Sequence, residues 1–395
     1  MSEEARLRHR ISTAELERRW KIVRQGMQAR NLDFLIMQNS ISDFCGYVKW
    51  FTDLPVMQGY PITIIFPRED EMTIISHGPR PPAEPNPAAW VVRGVKKRLS
   101  APVMHSMFYS STYDAELAVN ELKPYKDCRI GWVGPGYIAA SFYQYLTENL
   151  SSVTFEGASG LVDRVKVIKS AEEISLIREA CKIQDTLFQY SLTCIRPGRK
   201  DYEVRADLVH KLLEMGGTGY NIGLGSAPVG SPPRPVPPHM GNRVIEKGDQ
   251  VAMLLETNGP GGLWGEFSRT VCLGKAPQEL LEHYELARQT QKVTLDLLKP
   301  GADPMDMWNA NNEFLRSHGY PEERRIFAHG QGYDMMERPS LNPGETMKIQ
   351  AGMNIAIHPE VKSVHSRGAV CENYLVLESG GPECLHQVPQ KIFEI

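Results

Sequence analysis

The chain has no Cys-x-x-Cys pair and no uninterrupted apolar run near the roughly 18 residues of a membrane span. Its seven cysteines, at 45, 128, 181, 194, 272, 371 and 384, are odd in number and scattered. That pattern points to thiols in a reducing compartment, and away from a disulfide framework or a zinc knuckle. A basic surplus is missing too. The formal net charge of −3 argues against nucleic acid or an anionic membrane as the main partner. The opening Met-Ser-Glu-Glu-Ala-Arg is too charged for a signal peptide. Together these absences predict a cytoplasmic protein with no nucleic-acid partner and no membrane partner.

What remains is ordinary globular material: 42% hydrophobic and 23% charged residues over 395 positions. That length exceeds one ordinary core, so two domains are expected. Residues 12 to 32 have the spacing of an amphipathic helix, with Thr13 as its cap. Short apolar runs at 33–37, 62–66 and 72–75 predict strands. The proline cluster from Pro79 to Pro87 predicts a surface connection. Ile130 to Val133 begins another strand-to-helix unit. Strands alternating with helices predict an α/β domain over 1–164. A second domain, 165–395, opens with a helix. Ser170 and Glu173 form its capping box, and Ile174, Ile177, Cys181 and Phe188 share one of its faces.

That second domain contains an internal echo. Ile195-Arg196-Pro197-Gly198 starts a turn-and-helix unit ending at Met215-Gly216, and Leu298-Lys299-Pro300-Gly301 starts one ending at His318-Gly319. Both ends are offset by 103 residues. Two related halves about a pseudo-twofold axis would follow, with a site between them. Between the echoes, five prolines in the seven residues from Pro232 to Pro238 make a stiff segment that presents His239.

The polar residues set among apolar strands carry the chemistry. Glu266 lies in Trp264-Gly265-Glu266-Phe267, His329 beside Gly330 and Gly332, His358 after Ile355-Ala356-Ile357, and Glu372 in Cys371-Glu372-Asn373. Any one of these alone is most simply a hydrogen-bonded core residue. Four on adjoining elements suit either a metal site for zinc, manganese or iron, or metal-free general acid–base catalysis.

Several motifs resemble the pita-bread superfamily of methionine aminopeptidase, aminopeptidase P, prolidase and creatinase. Arg164 to Ile174 is similar to its R-x-I-K-S-x-E-E-I linker, and Gly248-Asp249 to its G-D strand start. Ser268-Arg269-Thr270 resembles the end of D-I-T-R-T. His329-Gly330-x-Gly332 with Glu337 resembles H-G-x-G-x-x-x-H-E, and Gly352-Met353 to Pro359 resembles G-M-x-x-x-x-E-P. The resemblance covers nearly the whole chain. It implies a creatinase/prolidase-type α/β N-terminal domain and an α+β pita-bread C-terminal domain with the pseudo-twofold repeat.

The family's metallopeptidases hold two metal ions with two aspartates, a histidine and two glutamates. By that resemblance the first aspartate falls on Leu254, Leu255 or Glu256, the second on Glu266, and the histidine on His329. The glutamates fall on His358 and Glu372, and the family's second histidine is Met336. Creatinase works without metal and also carries a glutamate where Glu266 lies. The resemblance therefore implies a creatinase-like hydrolase of a non-peptide C–N bond in a small polar molecule, with no cofactor. If one divalent ion is kept, its ligands would be Glu266, His329, His358 and Glu372.

In that reading His239 is the general acid–base. Glu266 and Glu372 bind a cationic or amide nitrogen and orient water, and His329 and His358 stabilise developing negative charge. Tyr47, Trp50, Phe51, Tyr333, Glu337 and Arg338 are expected to bind substrate, and the family's architecture implies a homodimer. The alternatives are a metal-dependent Xaa-Pro peptidase or a lyase on the same scaffold, and a non-catalytic binding module.

Overall fold

The structure, a computed structural model, describes residues 7–41, 43–79 and 90–395. Beyond Pro79, the proline cluster expected as a connection lies outside the described residues. The chain divides into two compact units, the first ending at Lys166 and the second spanning Val167–Ile395.

In the first unit the short apolar runs become strands β1 (Phe34–Asn39), β2 (Ile62–Pro67) and β3 (Met72–His77). All six residues of β1 are buried, as expected of a strand covered on both faces. With β4 (Val95–Ala101), β5 (Arg129–Val133) and β6 (Thr154–Gly157) they form one six-stranded sheet in the order β4-β3-β2-β1-β5-β6. The pairings of β1 with β5 and of β5 with β6 are parallel, and β1–β2–β3 is antiparallel. Helix α1 (Thr13–Ala29) is capped by Ser12, not by Thr13: the Ser12 hydroxyl accepts from the Glu15 backbone N–H at 3.1 Å. Ser12 is the extended residue and Thr13 already has helical geometry, so only Ser12 can face the open N–H groups. Helices α2 (Tyr47–Thr52), α3 (Tyr113–Leu122), α4 (Ala140–Asn149) and α5 (Ser159–Lys166) complete the unit. Ala115, Ala118, Leu122, Phe142 and Leu146 from α3 and α4 bury one sheet face against Phe34, Ile36, Ile65 and Ile130.

The second unit is built from two sheets, each with its own helix pair. The first pair is α6 (Ala171–Cys194) and α7 (Asp201–Glu214). Ser170 and Glu173 form the capping box of α6, worth about 1 kcal/mol. Leu187, Phe188, Leu208 and Leu212 pack on β7 (Tyr220–Ala227), β8 (Gln250–Asn258) and β9 (Trp264–Cys272) through Leu224, Met253, Leu255 and Phe267. Burying each such large side chain contributes about 1.5–3 kcal/mol.

The second helix pair is α8 (Gln278–Leu297) and α9 (Pro304–Ser317). Leu298 and Met307 of this half pack on the other sheet, against Phe327, Ile355 and Ile357. That sheet contains β10 (Ala328–Gly330), β11 (Glu337–Ser340), β12 (Asn354–Ile357), β15 (Glu372–Leu375) and β16 (Glu383–Cys384) in the order β11-β10-β12-β15-β16. A separate ribbon, β13 (Glu360–Lys362) with β14 (Arg367–Ala369), lies between β12 and β15 in sequence, and β17 (Phe393–Glu394) runs parallel to β9. The echo is carried into the structure: the boundaries at 194, 201 and 214 recur at 297, 304 and 317. A bridge between Ser268 and Cys371 joins the two sheets. This is the α+β architecture with an internal repeat that the sequence predicts, following an α/β first unit.

Candidate metal centre

Glu266 sits in β9, an inner strand of its sheet, and is 5% exposed. Its neighbour Phe267 points into the helix-covered core, so alternation turns Glu266 to the opposite face. Its backbone N–H donates to Asn373 Oδ1 at 2.6 Å. The Asn373 amide donates in turn to Gln331 Oε1 at 2.9 Å and Asn354 Oδ1 at 3.2 Å. This buried amide brace ties β9 to β10, β12 and β15, and so sets Glu266 against His329.

His329 belongs to β10, between β11 and β12. Two glycines let the surrounding chain close in. A Cβ on Gly330 would meet the Arg338 carbonyl oxygen at 2.2 Å, and one on Gly332 would meet Lys169 Nζ at 2.5 Å. The H-G-x-G spacing is therefore a packing requirement of this bend. His329 Nδ1 lies 2.9 Å from the Gly330 carbonyl oxygen. A carbonyl only accepts, so Nδ1 carries the hydrogen and Nε2 presents its lone pair. Nε2 faces Glu266 Oε2 at 3.4 Å.

His358 follows the last residue of β12, its backbone N–H bonded to the Phe327 carbonyl at 2.8 Å. Its ring stands edge-on to that of His329, with centroids 5.2 Å apart. Ligand atoms of Glu266, His329 and His358 all lie within 4.8 Å of one another.

The electrostatics of the trio favour a cation. Glu266 Oε2 and His358 Nε2 are buried without a hydrogen-bond partner. A lone pair on His329 facing a carboxylate is repulsive unless a proton or a metal ion lies between them. Burial alone would depress His329, yet the Glu266 carboxylate outweighs it and holds the imidazole above its ordinary value. Burial alone would raise Glu266, but His358 and His329 hold it down at about 2. Burial pushes His358 down to about 4, so its imidazole is neutral at pH 7 and available as a ligand. Cys371 is buried and bridges Ser268, which lies on the same face of β9 as Glu266. Two imidazoles and one carboxylate, mutually close with His358 half-buried and the others buried, fit one divalent transition-metal ion.

The other expected site residues go elsewhere. Glu372 is buried, but Arg269 forms an ion pair with its Oε1. Its Oε2 accepts from Gln291 at 2.7 Å and Gln390 at 2.8 Å. Glu256 lies directly across from Glu266 in the β8–β9 register, so the two share a face, and Glu256 accepts from Asn221 at 2.8 Å. Glu337 pairs with Lys169 at 2.7 Å, both side chains 2% exposed. Arg338 pairs with Glu345, and Tyr333 is buried.

His239 is exposed on a single turn, Pro238–Met240, after the proline-rich segment. That segment lies on β7, where a Cβ at Gly225 would meet the Arg234 carbonyl oxygen at 2.1 Å. In the first unit, Trp50 and Phe51 are in the interior, and the Tyr47 hydroxyl donates to Asp163 at 2.6 Å. Sequence reasoning missed the Asn373–Gln331–Asn354 brace, the Ser268–Cys371 bridge and the Arg269–Glu372 pair. Nothing in the local pattern links residues so far apart in the chain.

Residues 175–379, more than half of the chain, match the family described as metallopeptidase family M24. The chain is similar to the uncharacterized peptidase YqhT of Bacillus subtilis, 25% identical over 234 residues that cover 58% of this chain and 65% of YqhT. It is also similar to the Xaa-Pro dipeptidase of Pyrococcus furiosus, 24% identical over 265 residues covering 65% of this chain and 74% of that protein. The structure of the Xaa-Pro dipeptidase from Bacillus anthracis superposes with a TM-score of 0.78 over 96% of this chain and 100% of that one, at 19% identity. That last likeness is one of fold.

Two expectations are corrected by these findings. The relatives are named as peptidases and dipeptidases, not as enzymes of non-peptide C–N bonds, so the creatinase-like reading falls. The expectation of no cofactor falls as well. The matched family is one of metallopeptidases, and three possible ligands converge, two of them with an atom that lacks a hydrogen bond. The physical reason is that His358 keeps a ligand's lone pair where the family pattern has a carboxylate, so losing the carboxylate did not dismantle the site. The expectation of a hydrolase stands with the family. Since the match spans more than half of its residues, the chain belongs to metallopeptidase family M24.

Proposed function

We propose that this protein is a metal-dependent peptidase acting on short peptides, with the bond before proline as its preferred target. The observation that carries the reading is the convergence of Glu266, His329 and His358, whose ligand atoms lie within 4.8 Å of one another, in a chain of a metallopeptidase family. The names of the relatives support the Xaa-Pro preference. A divalent ion held by these three residues would polarise the scissile carbonyl and lower the pKa of water.

The chain's own residues then have separate tasks. Glu266 and the two imidazoles would hold the ion, and the amide brace keeps Glu266 aligned. His239 is proposed as the proton donor to the leaving amine; its exposure and its rigid presentation by the proline segment support that role. The first unit is proposed as the creatinase/prolidase-type domain and the second as the catalytic one. A homodimer and a cytoplasmic location belong to the same reading, supported by the family resemblance and by the odd, scattered cysteines. Among the described residues no helix is long and apolar enough to cross a membrane.

The test is release of free proline from Xaa-Pro dipeptides, and of Pro-Yaa from Xaa-Pro-Yaa tripeptides, by metal-loaded protein, followed by liquid chromatography and mass spectrometry. Metal-dependent cleavage that His329→Ala abolishes is expected. A folded, metal-loaded protein that cleaves none of these peptides would refute the proposal.

A further inference from the structure

The family pattern puts carboxylates at the positions of both His358 and Glu372, and this chain departs from it at each in a different way. At the first, the residue type has changed and the place in the site is kept: His358 is one of the three converging donors. At the second, the residue type is kept and the place is lost. Glu372 Oε1 pairs with Arg269, and Oε2 accepts from Gln291, Gln390 and, at 3.4 Å, the Tyr374 hydroxyl. Oε2 is thereby hydrogen-bonded, and Oε1 is held by the charge of Arg269 alone.

Arg269 is itself locked. It donates to the carbonyls of Ser268 at 2.8 Å, Val388 at 2.9 Å and Pro389 at 3.1 Å, and its guanidinium lies over the Phe267 ring. Moving Glu372 to a metal would strand a buried guanidinium. The chain direction agrees. Cys371 pairs with Ser268, which shares the face of Glu266 in β9, and in extended chain its neighbour Glu372 must point the other way.

Resting on the reading of this cluster as a metal centre, we infer that it is a two-imidazole, one-carboxylate site suited to zinc, and that Glu372 stands outside it as part of the scaffold. Imidazole nitrogen favours zinc, whereas carboxylate oxygen favours manganese. Exchanging a carboxylate for His358 therefore shifts the site's preference, and removing Glu372 takes away another hard oxygen.

The test uses the full-length protein stripped of metal by chelator dialysis and reloaded with zinc or manganese. X-ray absorption at the zinc edge of the wild type should count two imidazoles. Competition with a chromophoric chelator gives the ratio of zinc to manganese affinity, which His358→Glu should lower by about tenfold or more. Glu372→Gln should change zinc affinity by less than about threefold, since the bonds of Glu372 go to Arg269, Gln291, Gln390 and Tyr374 and to none of the three ligands, unlike a ligand's own outer partner. The inference is overturned by a count of one imidazole, by an unchanged affinity ratio in His358→Glu, or by a roughly 100-fold loss of zinc in a folded Glu372→Gln variant. Should Glu372→Gln fail to fold, the imidazole count on the wild type decides alone. Zinc bound as described, with no proline released from any peptide, would sustain this inference and remove the peptidase reading.

Discussion

Arg269 and Glu372 form an ion pair with side chains 0% and 1% exposed, in the same part of the second unit as the cluster of Glu266, His329 and His358. The pair shows how two acidic residues of similar local character reach different fates. Glu266 faces two imidazoles, with His329 Nε2 3.4 Å from its Oε2. Glu372 faces a guanidinium and two amide side chains, and its charge is balanced within the fold.

Metal should stabilise the folded protein through the three donors. Zinc at 100 times its dissociation constant contributes about 2.7 kcal/mol by mass action. The melting temperature of metal-stripped wild type is expected to rise on adding zinc, and that of His329→Ala is not. Calorimetry with and without zinc checks this; an equal rise in both would place the ion elsewhere.

Gly330→Ala should destabilise the second unit. The new Cβ would lie 2.2 Å from the Arg338 carbonyl oxygen, which is backbone and cannot swing aside. Relief by backbone shifts costs about 1–3 kcal/mol or more. Urea unfolding measures the loss, and unchanged stability would show that the bend at β10 relaxes freely.

Lys169 and Glu337 offer a double-mutant cycle. Lys169→Met alone removes the ion-pair partner of a buried carboxylate and is expected to cost about 3–5 kcal/mol. Adding Glu337→Leu should restore most of that loss, because the unpaired charge is then gone. No recovery in the double variant would mean that the pair fixes geometry beyond its charge balance.

In the first unit, Glu15 supplies a pH dependence. Burial would raise its pKa, but hydrogen bonds and charge from Arg18 and Arg19 outweigh burial and hold it below the ordinary 4.5. A depressed folded pKa means the stabilisation is fully present above the unfolded value and is lost as pH falls through the folded one. The stability difference between wild type and Glu15→Gln should therefore be constant near neutrality and shrink below about pH 4.5. Denaturant titrations from pH 7 to pH 3 measure it. A difference that grows with acid would reverse the assignment.

Residue patterns alone determined the two-part architecture, the repeated helix pairs and the capping box of α6, because these rest on local periodicity, on turn residues and on a fixed offset of 103 positions. They also marked Glu266, His329, His358 and Glu372 as one group, since each is a polar residue set in an apolar strand or beside close-packed glycines. Tertiary structure alone decided which of these acids stays with the imidazoles. Successive side chains on a strand point to opposite faces, so a register difference of one residue exchanges inside for outside. The bridge of Ser268 with Cys371 and the pairing of Ile357 with Glu372 set that register. It sets Cys371 beside Ser268, on the face of Glu266, and gives Glu372 to Arg269, whose partners at 388 and 389 lie too far along the chain for any local pattern to reveal.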